Sequence, residues 1–271
     1  MLTAMLGAVS QGILWGIMVL GVFITYKLLD IADLTVDGSF ATGGAVCAVC
    51  VVAGVNPVLA IAASMLAGAI TGAVTGFLAT AFEIPAILAG ILTQISLWSV
   101  NLRIMGKSNT PLLTNETVFT QLGNATGLPA NVCAIIVGLI VAVAIVAGLY
   151  WFFGTEIGSA LRATGDNEAM IRALGVNTNT TKVIALTLSN ALVGLSGGLI
   201  CQQQKYADIG MGTGAIVIGL AAIVIGEVLG RMLPGGLSKF AHRLISAVVG
   251  SIVYFLIRAI VLQLGMDAND M

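Results

Sequence analysis

Long apolar runs alternate with short polar connections along the whole chain. The runs cover residues 8–29, 38–54, 57–81, 84–104, 131–153, 183–201, 211–229 and 243–264. About 20 helical residues cross the hydrocarbon core of a bilayer, and runs 57–81 and 131–153 meet that length easily. Runs 38–54 and 211–229 are shorter and rich in glycine. Either can be a broken or re-entrant helix, a backbone tolerated at membrane depth only when covered by protein or lining a wet cavity. The pattern predicts an all-α polytopic membrane protein. It has a single transmembrane domain over 1–271, a bundle of about eight transmembrane or re-entrant helices.

Composition agrees with that pattern. Hydrophobic residues make up 58% of the chain and charged ones 8%, against about 25% charged in soluble domains. A transmembrane barrel would show segments of about ten residues with polar and apolar alternating, which the continuous runs exclude. The net charge of −1 suggests no nucleic-acid partner. The first run lacks a basic start and an A-x-A-like exit, so it is expected to remain as an anchor. Cys47, Cys50, Cys133 and Cys201 lie in or beside apolar runs and read as buried packing. No metal site is expected.

Within the runs, Gly68, Gly72 and Gly76 repeat every four residues and predict a groove for a neighbouring helix. Gly194 and Gly198 repeat the spacing. Polar residues in apolar runs are leads to a substrate pathway, because lipid tolerates them poorly. Gln94, Trp98 and Asn101 recur at i, i+4 and i+7, and Ser189 and Asn190 sit in the sixth run. Each set serves a pathway or interhelical packing. Asp33 and Asp37 stand one helical turn apart; they contact substrate, close a broken helix end or pair with Lys27.

Charge then marks the connections. Residues 154–182 carry Arg162, Arg172 and Lys182, and residues 230–243 carry Arg231, Lys239 and Arg243. Both are assigned to the cytoplasm by the excess of basic residues. The polar 105–130 stretch is assigned outside. Strict alternation puts the N-terminus outside, and a re-entrant 38–54 segment would reverse that.

Arg162, Asp166, Glu168 and Arg172 fall within eleven residues. Each charge at the bilayer centre would cost about 2.5–3.5 kcal/mol, so this stretch lies in water or at the interface. It still carries helical grammar. Asp166 is expected as the cap, Glu168 and Arg172 as an i, i+4 pair, and Gly175 as a left-handed stop. A helix this short needs something packed on its apolar side, either the bundle edge or a soluble partner.

Residues 158–199, GSALRATGDNEAMIRALGVNTNTTKVIALTLSNALVGLSGGL, resemble the matching region of ABC-importer permeases of the branched-chain amino acid and ribose type. That loop reads roughly R-A-x-G-x-N-x-x-A-x-x-x-G-I, and Arg162, Gly165, Asn167, Ala169 or Ala173, Gly175 and Val176 stand at comparable places. DLTVDGSF at 33–40 is similar to the D-L-S-V-G segment of the sugar branch, and IPAILAGILTQISL at 84–97 is similar to its P-A-F-I-A-T-L run. Glu168 stands seven residues before Gly175, one more than in the wider E-A-A-x-x-x-G loop. Within the superfamily the chain looks nearest to a bacterial subgroup predicted to import tryptophan or tyrosine.

The resemblance implies a non-enzymatic subunit that binds no cofactor itself, in the bacterial cytoplasmic (inner) membrane and surrounded by lipid. A second permease chain, making a homodimer, would complete the pathway. Cytoplasmic ABC ATPase subunits, carrying ATP and Mg, would grip a short cytoplasmic coupling helix within about 158–179. An extracytoplasmic substrate-binding lipoprotein would deliver the solute, an aromatic or branched-chain amino acid. The apolar face offered to the ATPase would be Ala169, Met170, Ile171, Ala173 and Leu174, with Arg172 and Asp166 setting register. The chain contains no G-x-x-x-x-G-K-[ST] phosphate loop, so it supplies no nucleotide chemistry. The alternative is an ion-coupled secondary transporter. No internal repeat or central ion-binding carboxylate argues for that. A membrane enzyme would need a nucleophile–histidine set, and the sequence shows no such set around its one histidine, His242.

Overall fold

The computed structural model describes residues 2–232 and 240–264; the expected basic residue Lys239 lies outside them. Among the described residues, eleven α-helices and two three-residue strands follow one another. Helix α1 (Leu2–Phe23) runs into a π turn at Ile24–Leu28, and α2 (Thr35–Val52), α3 (Pro57–Ala81) and α4 (Ala86–Met105) follow. Strand β1 (Asn109–Pro111) and α5 (Val118–Thr126) lead to α6 (Ala130–Phe152). Two short helices, α7 (Glu156–Asp166) and α8 (Glu168–Ala173), precede α9 (Thr178–Gln204). Strand β2 (Tyr206–Asp208), α10 (Ala215–Met232) and α11 (Phe240–Gln263) complete the order. Eight of the described helices, each near one predicted run, are long and apolar enough to span a bilayer.

Helices α1, α2 and α9 are enclosed, while α3, α4, α6, α10 and α11 keep broad apolar faces outward. That is the arrangement expected when the surrounding solvent is lipid. Side chain–backbone bonds set the helix directions. Ser189 and Ser196 donate to the carbonyls of Gly21 and Leu14, both at 2.8 Å, so α1 and α9 are antiparallel. Ser251 donates to the Gly12 carbonyl at 2.8 Å, which aligns α11 against α1. Helix α3 lies on α9 through its glycine stripe. A Cβ on Gly68 or Gly72 would strike the carbonyls of Asn190 and Leu186, and one on Gly76 would meet Val183 at 3.0 Å. Gly194 faces back onto Gly68, so two small-residue faces interlock.

Helices α2 and α10 both start inside the bundle. Asn190 lies about 18 Å along α9, near its middle. Its Nδ2 donates to Asp33 Oδ2 at 2.6 Å, two residues before α2 begins. Asp37, in the first turn of α2, receives the Gly214 and Ile216 N–H groups at 3.0 and 2.9 Å. Segments 29–34 and 209–214 are therefore irregular backbone leading into the bundle, with Asp33 and Gly212 buried while Asp30, Ala32 and Thr213 stay exposed, the kind of backbone tolerated where protein covers it or a wet cavity reaches it. Helix α2 still ends on the face opposite α7 and α8. Alternation therefore holds, and the start of α1 lies on that opposite face too. There β1 and β2 pair antiparallel, Thr110 opposite Ala207, and α5 packs on α6 and α9, its Val118 N–H donating to Gln202 Oε1 at 3.0 Å. The sequence pattern showed neither the strands nor α5.

Candidate functional site

The charged stretch forms two helices meeting at a sharp corner. Thr155 caps α7, accepting from the Gly158 N–H at 3.3 Å. Gly165 lies so close to the Leu28 carbonyl that any side chain would strike it. That contact locks α7 under the end of α1. The chain then turns at extended Asn167, whose Oδ1 accepts from Met170 N at 3.0 Å and caps α8. The expected cap, Asp166, is instead the last residue of α7. Both types cap helices; the seating of α7 decides which of them is free to do so. Gly175, at φ +87°, supplies the left-handed stop.

Helix α8 has only six residues and is held by charge. Glu168 pairs with Arg172 at 2.9 Å and with Lys182 of α9 at 2.7 Å. Thr178, in the first turn of α9, donates to the same carboxylate at 3.1 Å and accepts from Arg172 at 2.8 Å. The Lys182 ammonium, bonded to Glu168, holds that carboxyl below the usual carboxylate range, with Thr178 and Arg172 helping. A depressed carboxylate contributes its stabilisation above the unfolded-state value and loses it as pH falls through the folded-state value. Protection of residues 168–174 from hydrogen exchange, relative to the intrinsic rate at each pH, is accordingly expected to fall on acidification below about pH 4, near the ordinary glutamate value. Glu168→Gln should remove that step and leave protection low at every pH; equal protection in the variant would show that the clamp does not hold α8.

The apolar residues of α8 divide. Ile171 is 6% exposed and packs into the bundle, so it is not part of an outward face. Met170 and Leu174 are 52% and 72% exposed, and Ala169 and Ala173 flank them in the open. Arg162 also turns inward. Its guanidinium donates to the Phe153 carbonyl at 2.9 Å and lies 5.2 Å from the Phe240 ring centroid. The exposed corner is thus Asp166, Asn167, Ala169, Met170, Ala173 and Leu174. Glu168, Arg172 and Gly175 shape it, and Arg162, Gly165 and Ile171 fasten it.

A second polar assembly joins the helix breaks. Thr35 N donates to Asp33 Oδ1 at 2.9 Å, and Asn190 holds the other oxygen. Ser39 donates to Asn190 Oδ1 at 2.6 Å and meets Thr71 at 2.7 Å. Thr35 meets Thr75 at 2.8 Å, and Thr75 donates to Thr93 at 2.9 Å. Hydroxyls of α2, α3 and α4 are thereby tied to α9 in one buried, satisfied network, the condition under which such networks stabilise. Asp33 and Asp37 close helix starts. Lys27 pairs not with them but with Glu227 of α10, at 2.9 Å. The hydroxyl residues were absent from the sequence reading; Thr71 and Thr75, one turn apart beside the glycine stripe, were the available signal.

The amide–indole stripe of α4 does not act as one face. Asn101 is buried, and its Oδ1 has no partner. Trp98 is 51% exposed and Gln94 half-buried. Among the described residues no group of three or more His, Cys, Asp or Glu can hold a metal ion.

The model of a family described as branched-chain amino acid transport system / permease component matches residues 4–271. A protein named tyrosine transport system permease protein, from Clostridioides difficile, is 35% identical over 270 residues, covering 100% of this chain and 87% of that one. The ribose import permease protein RbsC of Escherichia coli K12 is 31% identical over 221 residues, 80% of this chain and 66% of that one. Among solved structures, a chain of PsaBC from Streptococcus pneumoniae in complex with Fab aligns over 93% of this chain and 89% of its own. Its TM-score is 0.42 and its identity 16%, too loose a likeness to argue from.

Proposed function

The chain belongs to the branched-chain amino acid transport system permease family, and we propose that it is the pathway-forming subunit of an ATP-driven importer of aromatic amino acids. Two copies form the pathway in a bacterial cytoplasmic membrane. Two ABC ATPases, which carry the ATP and Mg, grip α8 on the cytosolic face, and a substrate-binding lipoprotein delivers solute to the opposite face. The observation carrying this reading is the pair Met170 and Leu174: large, apolar and uncovered on a helix that salt bridges fix to the start of α9. A rigid knob of this kind suits transmission of a rigid-body movement. The aromatic amino acid follows from the relative named for tyrosine transport.

The pathway residues fall into two groups under this reading. Ser189, Asn190, Asp33 and Asp37 spend their polar atoms on the bundle. Gln94 and Trp98 remain for a surface of α4 that a second copy completes, while Asn101 is enclosed within the chain. Broken helices with carboxylates at mid-depth also suit an ion-coupled carrier. Here, however, each oxygen of both carboxylates already accepts a hydrogen bond from the protein. Reconstitution in liposomes with its ATPase and lipoprotein tests the proposal. Tyrosine accumulation is expected to require ATP, and tyrosine-loaded lipoprotein to stimulate hydrolysis. Uptake driven by an imposed ion gradient without the ATPase would overturn it.

A further inference from the structure

Two cavities adjoin where α6, α7 and α11 meet near the end of α1. One, of about 420 Å³, is lined by Lys27 in the π turn after α1, by Arg162 and Asp166 of α7, and by Phe240 and Arg243 of α11. The other, of about 610 Å³, is lined by Tyr150, Trp151 and Phe153 at the end of α6. Arg162 and Phe240 line both, so the two form one groove, charged at one end and aromatic at the other. The groove sits at headgroup level. Tyr150 and Trp151, in the last turn of α6, are 58% and 74% exposed, and exposed aromatic rings at the end of a span mark the membrane–water interface.

Arg162 is the fixed cation of this groove. The Phe153 carbonyl, at 2.9 Å, takes one of its N–H groups, and the Phe240 ring, 5.2 Å away, holds the guanidinium plane. A guanidinium carries five such donors, and no carboxylate of the described residues pairs with this one. Three cations of the lining face one carboxylate, Asp166. Lys27 is already paired with Glu227 at 2.9 Å, but Arg162 and Arg243 still outnumber Asp166. The charged end therefore suits an anion, and the planar fork of arginine suits a phosphate, which it grips with two parallel bonds. A choline headgroup would set its own cation beside the same two arginines. A free anion would leave the aromatic end of the groove without an occupant.

We propose that this groove binds an anionic phospholipid, its phosphate on Arg162 and Arg243 and its glycerol and first acyl carbons along Tyr150, Trp151 and Phe240. Basic pockets between spans at the headgroup level are the setting in which such lipids are held. A lipid bound there would brace α7 against α6 and α11, and α8 is seated on α7. The inference needs only that the chain spans a bilayer, and it holds whatever solute the chain carries.

Trp151 is the natural reporter, read alone in a Trp15→Phe/Trp98→Phe background. The full chain is placed in phosphatidylcholine nanodiscs with a rising fraction of phosphatidylglycerol, one of the two lipids carrying brominated acyl chains that quench tryptophan. A control chain has Val143→Trp as its one tryptophan, on the open face of α6 near mid-span, where Val143 is 60% exposed. Phosphatidylglycerol is expected to reach Trp151 with a preference of about tenfold over phosphatidylcholine, and the control with none. Arg162→Gln and Arg243→Gln should each bring the preference at Trp151 towards one. Arg162→Lys keeps the charge and loses the fork; it should retain part of the preference and serves if Arg162→Gln fails to fold.

Equal preference at both reporters overturns the site, because it shows only bulk attraction of anionic lipid to the chain. So does a preference at Trp151 that survives both glutamine variants. Displacement of phosphatidylglycerol by inorganic phosphate would identify a free-anion site, and loss of the preference on adding the partner ATPase would give the groove to that protein. Either result ends the lipid proposal.

Discussion

Replacing Met170 and Leu174 together with glutamate is expected to reduce ATP-coupled uptake by at least about a hundredfold while leaving the bundle folded. Each side chain, buried in a partner's cleft, contributes about 1.5–3 kcal/mol, and a buried unpaired carboxylate adds a further cost. Losing both contacts removes on the order of 3–6 kcal/mol, or about two to four powers of ten in affinity. The fold should tolerate the change, because Met170 and Leu174 are 52% and 72% exposed and such surface substitutions usually stay within about 0.5 kcal/mol. The new like charges at i, i+4 cost only a few tenths of a kcal/mol. Ile171→Ala is the contrasting variant. It should loosen α8 from the bundle, seen as faster hydrogen exchange over 168–174, because Ile171 packs inward. The measurements are tyrosine uptake, ATP hydrolysis and co-purification of the ATPase. Full coupling in the double variant, with the melting temperature unchanged, would remove α8 from the coupling path.

The sequence made the spans legible because hydropathy over about 20 residues is a strong, local signal. The two helix breaks were legible in outline for a related reason. Runs 38–54 and 211–229 are shorter and rich in glycine, which left a broken or re-entrant helix open for either, and the bonds of Asp33 to Asn190 and of Asp37 to Gly214 place both helix starts inside the bundle. The details that failed depend on tertiary contacts. Asp166 and Asn167 are equally plausible caps by type, and only the seat of Gly165 on Leu28 selects the second. On α4 the enclosed strip runs Ala89, Thr93, Leu97, Asn101 and Met105. Trp98 stands about 100° around from Leu97, enough to turn it outward while Asn101 stays in. A spacing of i, i+4, i+7 names a face but not its edges, which the neighbours α2 and α3 draw. The clamp on Glu168 was half legible. Arg172 lies one turn away, whereas Lys182 lies on another helix, and no local pattern reaches it.

Asp37→Ala is expected to cost the fold more than any single change on the α8 knob. The Asp37 carboxylate closes the start of α10 through the Gly214 and Ile216 N–H groups, and Gly212 packs directly on the Asp37 carbonyl. A helix that starts in water can bond its first N–H groups to solvent; one that starts in the bundle needs the protein to supply the acceptor. Alanine leaves two donors unpaired at about 1–3 kcal/mol each and withdraws a negative charge from the positive end of the helix dipole, a smaller loss. The sum, on the order of 3–6 kcal/mol, is comparable with the whole stability of many domains. The expected result is aggregated or absent protein in size-exclusion chromatography of detergent extracts. Asp37→Asn should still fold with a lowered melting temperature, because its carbonyl oxygen accepts from one of the two N–H groups. A substrate contact predicts the opposite order, in which both variants fold normally and lose uptake alike. If Asp37→Ala melts with the wild type, water reaches the start of α10, and the junction is part of the solute's path rather than a sealed joint.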